Sequence, residues 1–121
     1  MAGIVHIPFY ATVFRGDKLE AALAELGPLT LRYGATQYAV HRNRDDRYKI
    51  LFMATFEDKG GWDRFWDGPE ARHFRAANQS YFQVPLVYTW NDLVVEGRFE
   101  PEPARAGLGN GREPGELGDV A

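Results

Sequence analysis

Three histidines, at positions 6, 41 and 73, are the side chains of this chain whose protons exchange most readily near neutral pH. His6 lies in an apolar segment and His73 follows an aromatic-rich one. Each is therefore a candidate catalytic acid or base. His41 borders a charged turn, and we expect it to be solvated. The alternative interpretations, a histidine at a fraying chain end for His6 and a surface histidine for His73, stay open at this stage.

Two tryptophans precede His73 at helical spacing. At 100° per residue, Trp62, Trp66 and His73 would lie within about 40° of one another on a helix. Indole and phenol rings bind flat apolar ligands, and phenols also supply hydrogen bonds. We therefore predict a pocket whose lining residues are Tyr10, Tyr38, Trp62 and Trp66. The alternative is that the tryptophans belong to the core.

Composition excludes several other kinds of site. The chain has no cysteine, so thiolate metal sites, disulfides and cysteine nucleophiles are absent. Asp63 and Asp67 form an i, i+4 carboxylate pair, but no third ligand is evident beside them. With three scattered histidines, we predict no metal site. Asp63 and Asp67 are then expected on a solvated helix face. No cofactor-binding motif is evident, and we predict no cofactor.

Charge and hydropathy also limit the partners. The 121 residues carry a formal net charge of −3, which is a poor match for nucleic acid or for an anionic membrane. No stretch approaches the ~20 apolar residues that span a bilayer. The N-terminus also lacks the pattern of a signal peptide. We therefore expect no nucleic-acid partner, no membrane partner and a cytoplasmic location.

The elements that must position these residues follow from hydrophobic periodicity. Asp17 and Glu20 resemble a capping box at the start of the first helix, and Gly27-Pro28 ends it. The break at Gly68-Pro69 predicts two short helices or one kinked helix in the second helical region. The predicted elements are a strand over 4–14, a helix over 17–26, a hairpin of strands 35–41 and 48–56, helices within 58–79, and a strand over 83–95.

The order strand, helix, strand, strand, helix, strand predicts an α+β, ferredoxin-like domain over residues 1–96. Its four-stranded antiparallel sheet would have the spatial order 4-1-3-2, with both helices on one face. Pro85 suits an edge strand, whereas Pro8 has no explanation at this stage. Residues 97–121 are rich in glycine, proline and charge, and we predict that they form a flexible tail.

The sheet face without helices is predicted to be mixed rather than polar, with Tyr10, Phe14, Leu51 and Met53 on it. Such a face is unfavourable in water. The simplest cover is the same face of a second copy, so we predict a homodimer.

The element order, the aromatic helix Gly61–Glu70 and the aromatic last strand resemble the dimeric α+β barrel superfamily, and within it the antibiotic-biosynthesis-monooxygenase-like group. The resemblance covers roughly residues 4–96. It implies a homodimer whose two sheets form a barrel, with a pocket between each sheet and its helices. Members of this superfamily include cofactor-independent monooxygenases, haem-degrading enzymes, polyketide cyclases and lactone isomerases.

The positions of the histidines favour some of these activities over others. Haem-degrading members place a histidine about ten residues after a helical tryptophan, whereas Ala76 stands ten residues after Trp66. Some polyketide cyclases of the superfamily use a histidine near the start of the first strand, where His6 stands. Three hypotheses remain: a cofactor-independent monooxygenase acting on a phenolic or polyketide-like aromatic, a non-oxidative cyclase or isomerase, and a non-catalytic protein that binds a small aromatic ligand.

Overall fold

The computed structural model describes residues 1–101. Its order of strands and helices is the predicted one, and the second helical region consists of two short helices that meet at Gly68. The elements are β1 (Gly3–Tyr10), α1 (Gly16–Leu26), β2 (Ala35–Arg42), β3 (Lys49–Phe56), α2 (Lys59–Trp66), α3 (Pro69–Asn78) and β4 (Thr89–Asp92), with 3₁₀ helices at Gly27–Tyr33 and Gln79–Tyr81.

The four strands form one antiparallel sheet in the order β2-β3-β1-β4. This is the predicted order 4-1-3-2 and confirms a ferredoxin-like α+β fold. The central pair, β1 and β3, is in register along its whole length, from Gly3 opposite Phe56 to Tyr10 opposite Lys49.

Pro8 lies in the central strand β1 without interrupting the sheet. The edge strand β4 pairs only with Gly3–His6 of β1, so at Pro8 the sheet has a neighbour on the β3 side alone. A proline lacks the amide hydrogen that a second neighbour would need, and no described strand pairs with Pro8 on that side.

The first and last strands predicted from the sequence were both too long. The last strand covers only Thr89–Asp92, because 83–88 does not pair as a strand and Pro85 cannot donate to a ladder. The first strand ends at Tyr10. Phe14, which was predicted to lie on the sheet, is instead a loop residue with a φ of 65° and is 89% exposed.

Alternation along the strands divides the sheet into two faces. The helix-covered face carries the core, which is rich in phenylalanine and includes Trp62 of α2. We define the open face as the opposite side. Its residues are Ile4, His6, Pro8 and Tyr10 of β1; Gln37, Ala39 and His41 of β2; Lys49, Leu51, Met53 and Thr55 of β3; and Thr89 and Asn91 of β4.

Helix α1 begins one residue before the predicted capping box. Its N-cap is Arg15, and the Asp17 side chain makes no cap hydrogen bond. Instead, Arg42 of β2 donates to the carboxylates of Asp17 at 2.7 Å and Glu20 at 3.0 Å. Hydrogen bonding to Arg42 lowers the pKa of Asp17. These contacts link α1 to the edge strand β2.

Residues 97–101 have no regular secondary structure, and 97–100 are exposed. The predicted flexible tail over 97–121 stays a prediction, because its greater part lies outside the described residues. Within residues 1–101, no helix is long and apolar enough to cross a bilayer.

Two adjacent glycines in the first turn of α2 test how closely this helix packs. A Cβ at Gly61 would lie 2.5 Å from the backbone carbonyl oxygen of Tyr33, whereas one at Gly60 would meet only the side chains of Asp58 and Arg64 at 3.0 and 3.3 Å. Alanine is the better helix former by ~1 kcal/mol. We expect Gly61→Ala to lower the free energy of unfolding by about 1–3 kcal/mol.

Gly60→Ala is the matched control and should be neutral or stabilising. Urea titrations at one fixed protein concentration measure both variants. Equal unfolding midpoints for the two would contradict the close approach of α2 to the carbonyl of Tyr33.

The contact between Arg42 and Asp17 predicts a pH dependence of stability. The pKa of Asp17 in the folded protein lies below its ordinary value of 3.8. Its contribution is therefore present above the ordinary pKa and is lost as the pH falls through the lowered one. Asp17→Asn should be less stable than the wild type at pH 7, and this difference should shrink progressively in acid.

Asp45→Asn removes an equal charge from the hairpin turn, where the Asp45 carboxylate has no salt bridge within residues 1–101. Thermal melts of both variants between pH 2.5 and 7 provide the measurement. A pH-independent difference between Asp17→Asn and the wild type would show that the carboxylate charge is not responsible.

Candidate functional site

A cavity of about 520 Å³ lies at the hairpin end of the sheet, and most of its lining residues belong to the open face. Small-molecule sites typically occupy ~300–1,000 Å³. The cavity is therefore large enough for a small aromatic ligand. Its lining residues are Pro8, Phe9, Tyr10, His41, Arg42, Asn43, Lys49, Ile50 and Leu51.

Strand pairing explains why these residues meet. Leu51 is opposite Pro8 on one side and opposite His41 on the other, so these three residues form one row across β1, β3 and β2. Tyr10 is opposite Lys49 in the next row of β1 and β3. Pro8 and Leu51 therefore form an apolar row with the His41 imidazole at one end. The phenol of Tyr10 and the ammonium group of Lys49 lie beside this apolar row.

Tyr10 is held by the hairpin between β2 and β3. Its hydroxyl donates to the Asp46 carboxylate at 3.2 Å, and this hydrogen bond raises the pKa of Tyr10. The Asp46 carboxylate also accepts from the backbone N–H of Tyr48 at 3.1 Å. Tyr10 is 39% exposed, so its ring is accessible to a ligand, and its phenol stays neutral near pH 7.

His6 is half-buried on the open face, between Met53 of β3 and Thr89 of β4. It is two residues from Pro8 along β1, which corresponds to about 7 Å. The cavity ends at Pro8 and does not include His6. A ligand that extends from the cavity along the strand would reach the imidazole.

The other three predicted pocket residues lie on the helix-covered side. The indole of Trp62 is fully buried and stacks on that of Trp66, with ring centroids 5.1 Å apart, and the ring of Tyr88 packs edge-on against both. Tyr38 is opposite Ala54, and its ring approaches Gly27. The alternative interpretation of the tryptophans as core residues fits Trp62.

Two buried donors in this aromatic cluster have no hydrogen-bond partner within residues 1–101. They are Nε1 of Trp62 and Nη1 of Arg75. The Arg75 guanidinium lies 4.1 Å from the centroid of the Trp66 ring, which is a cation–π contact. Burial lowers the pKa of Arg75. Arg75 could not be identified from the sequence, because nothing in its spacing distinguishes it from Arg72, the other arginine of α3.

His73 is exposed in a groove of about 250 Å³ between α1 and α3, where Glu25, Leu26 and Glu70 are among its neighbours. Neither tryptophan lines this groove. The helical spacing that grouped His73 with Trp62 and Trp66 assumed one continuous helix, whereas the chain changes direction at Gly68-Pro69.

The structure thus brings Trp62 and Trp66 together, and places Tyr10 at the cavity with His6 nearby. It separates Tyr38 and His73 from that cavity. Lys49 was not predicted to be a lining residue, and His41 was expected only to be solvated. Strand alternation places Lys49 beside Tyr10, but that signal could be used only after the register with β1 was known.

Within residues 1–101, no group of three or more histidine, cysteine, aspartate or glutamate side chains could hold a metal ion. Asp63 of the carboxylate pair accepts from the ammonium of Lys59 at 3.0 Å, in an ordinary i, i+4 salt bridge on the surface of α2. Asp63, one member of the carboxylate pair, therefore has a structural partner of opposite charge.

No protein-family model and no curated protein sequence match this chain. Solved structures do match it in fold. Rv0793 from Mycobacterium tuberculosis superposes with a TM-score of 0.71 at 16% identity, covering 81% of this chain and 100% of that chain. SO0527 from Shewanella oneidensis gives 0.65 at 22% identity, with coverages of 74% and 90%.

A provisionally named antibiotic biosynthesis monooxygenase from Deinococcus radiodurans gives a TM-score of 0.70 at 15% identity, covering 84% of this chain and 100% of that chain. Further structural neighbours have the same name. At these identities the likeness establishes the fold. The chain therefore has the ferredoxin-like α+β fold of solved structures that are named antibiotic biosynthesis monooxygenase.

Proposed function

We propose that this protein is a homodimer that binds a small aromatic molecule against its open face and acts as a cofactor-independent monooxygenase on a phenolic or polyketide-like ring. The observation that carries the proposal is the cavity of about 520 Å³, with its apolar row, its phenol and its nearby imidazoles. The names of the structural neighbours support the same reaction class.

The dimer follows from the chemistry of the open face. Ile4, Leu51 and Met53 leave it partly apolar. The segment after β4 adds Leu93, Val94 and Val95, which are 44%, 91% and 83% exposed. Removing apolar surface from water is favourable by ~25 cal/mol per Å². A second copy would cover this surface and exclude water from the cavity.

The reaction requires an acidic C–H or O–H group on the ligand and a base. For a ring methylene flanked by phenolic rings, R₂CH₂ + O₂ gives R₂C=O + H₂O, so the substrate supplies all four electrons that reduce oxygen. The protein binds the ring, removes a proton to form the electron-rich anion, and keeps water away while that anion meets oxygen. We assign the base to His6 and the binding of the ring to Tyr10 and the apolar row.

The dimer is testable by adding one charge to the open face. The wild type should sediment as a dimer at micromolar concentration, and Met53→Glu should be a monomer, because a carboxylate there would be buried without a partner. Ala24→Glu adds the same charge on the exposed surface of α1 and should remain a dimer. A monomeric wild type would contradict the proposal that a second copy covers the cavity.

The reaction is testable by measuring oxygen consumption, above the rate in buffer, with a panel of anthrone-like and hydroquinone substrates. If His6 is the base, His6→Ala should lower the rate by a factor of about 10²–10⁴. His73→Ala, on the outer surface between α1 and α3, is the matched control and should retain wild-type turnover.

Loss of turnover in His73→Ala alone would transfer the role of base from His6 to His73. Product formation without oxygen uptake would identify a cyclase or isomerase. Binding without turnover for the whole panel would identify a non-catalytic binding protein.

A further inference from the structure

Lys49 is the only lysine, arginine, aspartate or glutamate among the strand residues of the open face. Every other position on that face carries an apolar, hydroxyl, amide or imidazole side chain. Lys49 also lines the cavity, opposite Tyr10. A single fixed positive charge therefore stands at the edge of an otherwise uncharged and partly apolar surface.

The charged side chains near this ammonium group make their contacts with other groups. In the part of the chain that the structure describes, Lys49 has no salt bridge. The nearby carboxylate of Asp46 accepts instead from the Tyr10 hydroxyl and from the backbone N–H of Tyr48. Arg42, another cation that lines the cavity, is paired with Asp17 and Glu20 on the helix-covered side.

A ligand that fills the cavity would take water away from this ammonium group. A charge that loses its hydration needs a partner of opposite sign, because an unpaired buried charge is strongly unfavourable. Tyr10 cannot supply that partner, since its hydroxyl is neutral near pH 7 and already donates to Asp46. An anionic group on the ligand would supply that partner.

We propose that Lys49 is a specificity-determining residue, and that the ligand is a flat aromatic acid whose anionic group, such as a carboxylate, pairs with its ammonium group. This inference rests on the cavity of the proposed function and narrows its ligand class from aromatic molecules to aromatic acids. The aromatic body lies on the apolar row of Pro8 and Leu51, beside the ring of Tyr10. The acidic group lies at the Lys49 end.

Two fluorescent probes with the same carbon skeleton separate charge from shape. 8-Anilinonaphthalene-1-sulfonate carries one anionic group, and N-phenyl-1-naphthylamine lacks it. Each is titrated into the full-length protein and into Lys49→Met, Lys49→Arg and Arg44→Met. Arg44 lies in the hairpin turn and does not line the cavity, so its loss changes the net charge equally and serves as the matched control.

Lys49→Met should weaken binding of the sulfonate about tenfold or more, the loss expected for one charge-assisted contact. The same variant should leave binding of the neutral probe within about twofold, a change too small for a lost ionic contact. Lys49→Arg should restore sulfonate binding, and Arg44→Met should match the wild type. These four results together support an acid-binding role for Lys49.

Other outcomes overturn the inference. Unchanged sulfonate affinity in Lys49→Met, or an equal loss in Arg44→Met, would mean that the probe responds only to overall charge. Equal losses of both probes together with dissociation of the dimer would mean that Lys49 pairs with a carboxylate of the second copy. Neither probe is a substrate, so sulfonate binding through Lys49 without oxygen uptake on any substrate would refute the proposed reaction but retain the aromatic-acid site.

Discussion

The pairing of β1 with β3 is the constraint on which the rest of the molecule depends. These two strands are in register over eight residue pairs, and their alternation sends Val5, Ile7 and Phe9 to one side and His6, Pro8 and Tyr10 to the other. Within residues 1–101, the helices cover the first side only. A slip of one residue would exchange the two sets and expose the core.

The two faces therefore differ in what their side chains do. On the covered side, aromatic rings pack in edge-on and stacked pairs around Trp62, and they supply the burial that stabilises a domain of this size. On the open side, the imidazoles, the phenol of Tyr10 and the ammonium of Lys49 are not needed for that core. They stand beside a cavity instead, where a group that can exchange a proton or bind an anion is available to a ligand.

Much of the fold could be predicted, because the spacing of apolar residues indicates which side of each helix or strand is buried. The helix stripes and the alternation in β1 and β3 identified the element order and the separation of the two faces, and the usual arrangement of two split β-α-β units supplied the strand order. The errors occurred where local pattern and pairing disagree. Phe14 looks like a strand residue but occupies a left-handed turn. Residues 83–88 look like a strand but do not form one, although the Gln83 N–H donates to the Tyr10 carbonyl. Of the candidate site, residue types were predictable, whereas their grouping was not.

The sequence by itself determined the fold class, the aromatic core and the small set of groups that could carry acid–base chemistry, because these follow from composition and from periods of two and 3.6 residues. Only the tertiary structure decided which of those groups meet. Register placed Tyr10, His41 and Lys49 around one cavity, although Tyr10 is distant in the chain from the hairpin that carries the other two. The change of direction at Gly68-Pro69 put His73 on the outer surface, away from the tryptophans. Such neighbours are long-range consequences of packing, and local sequence patterns do not encode them.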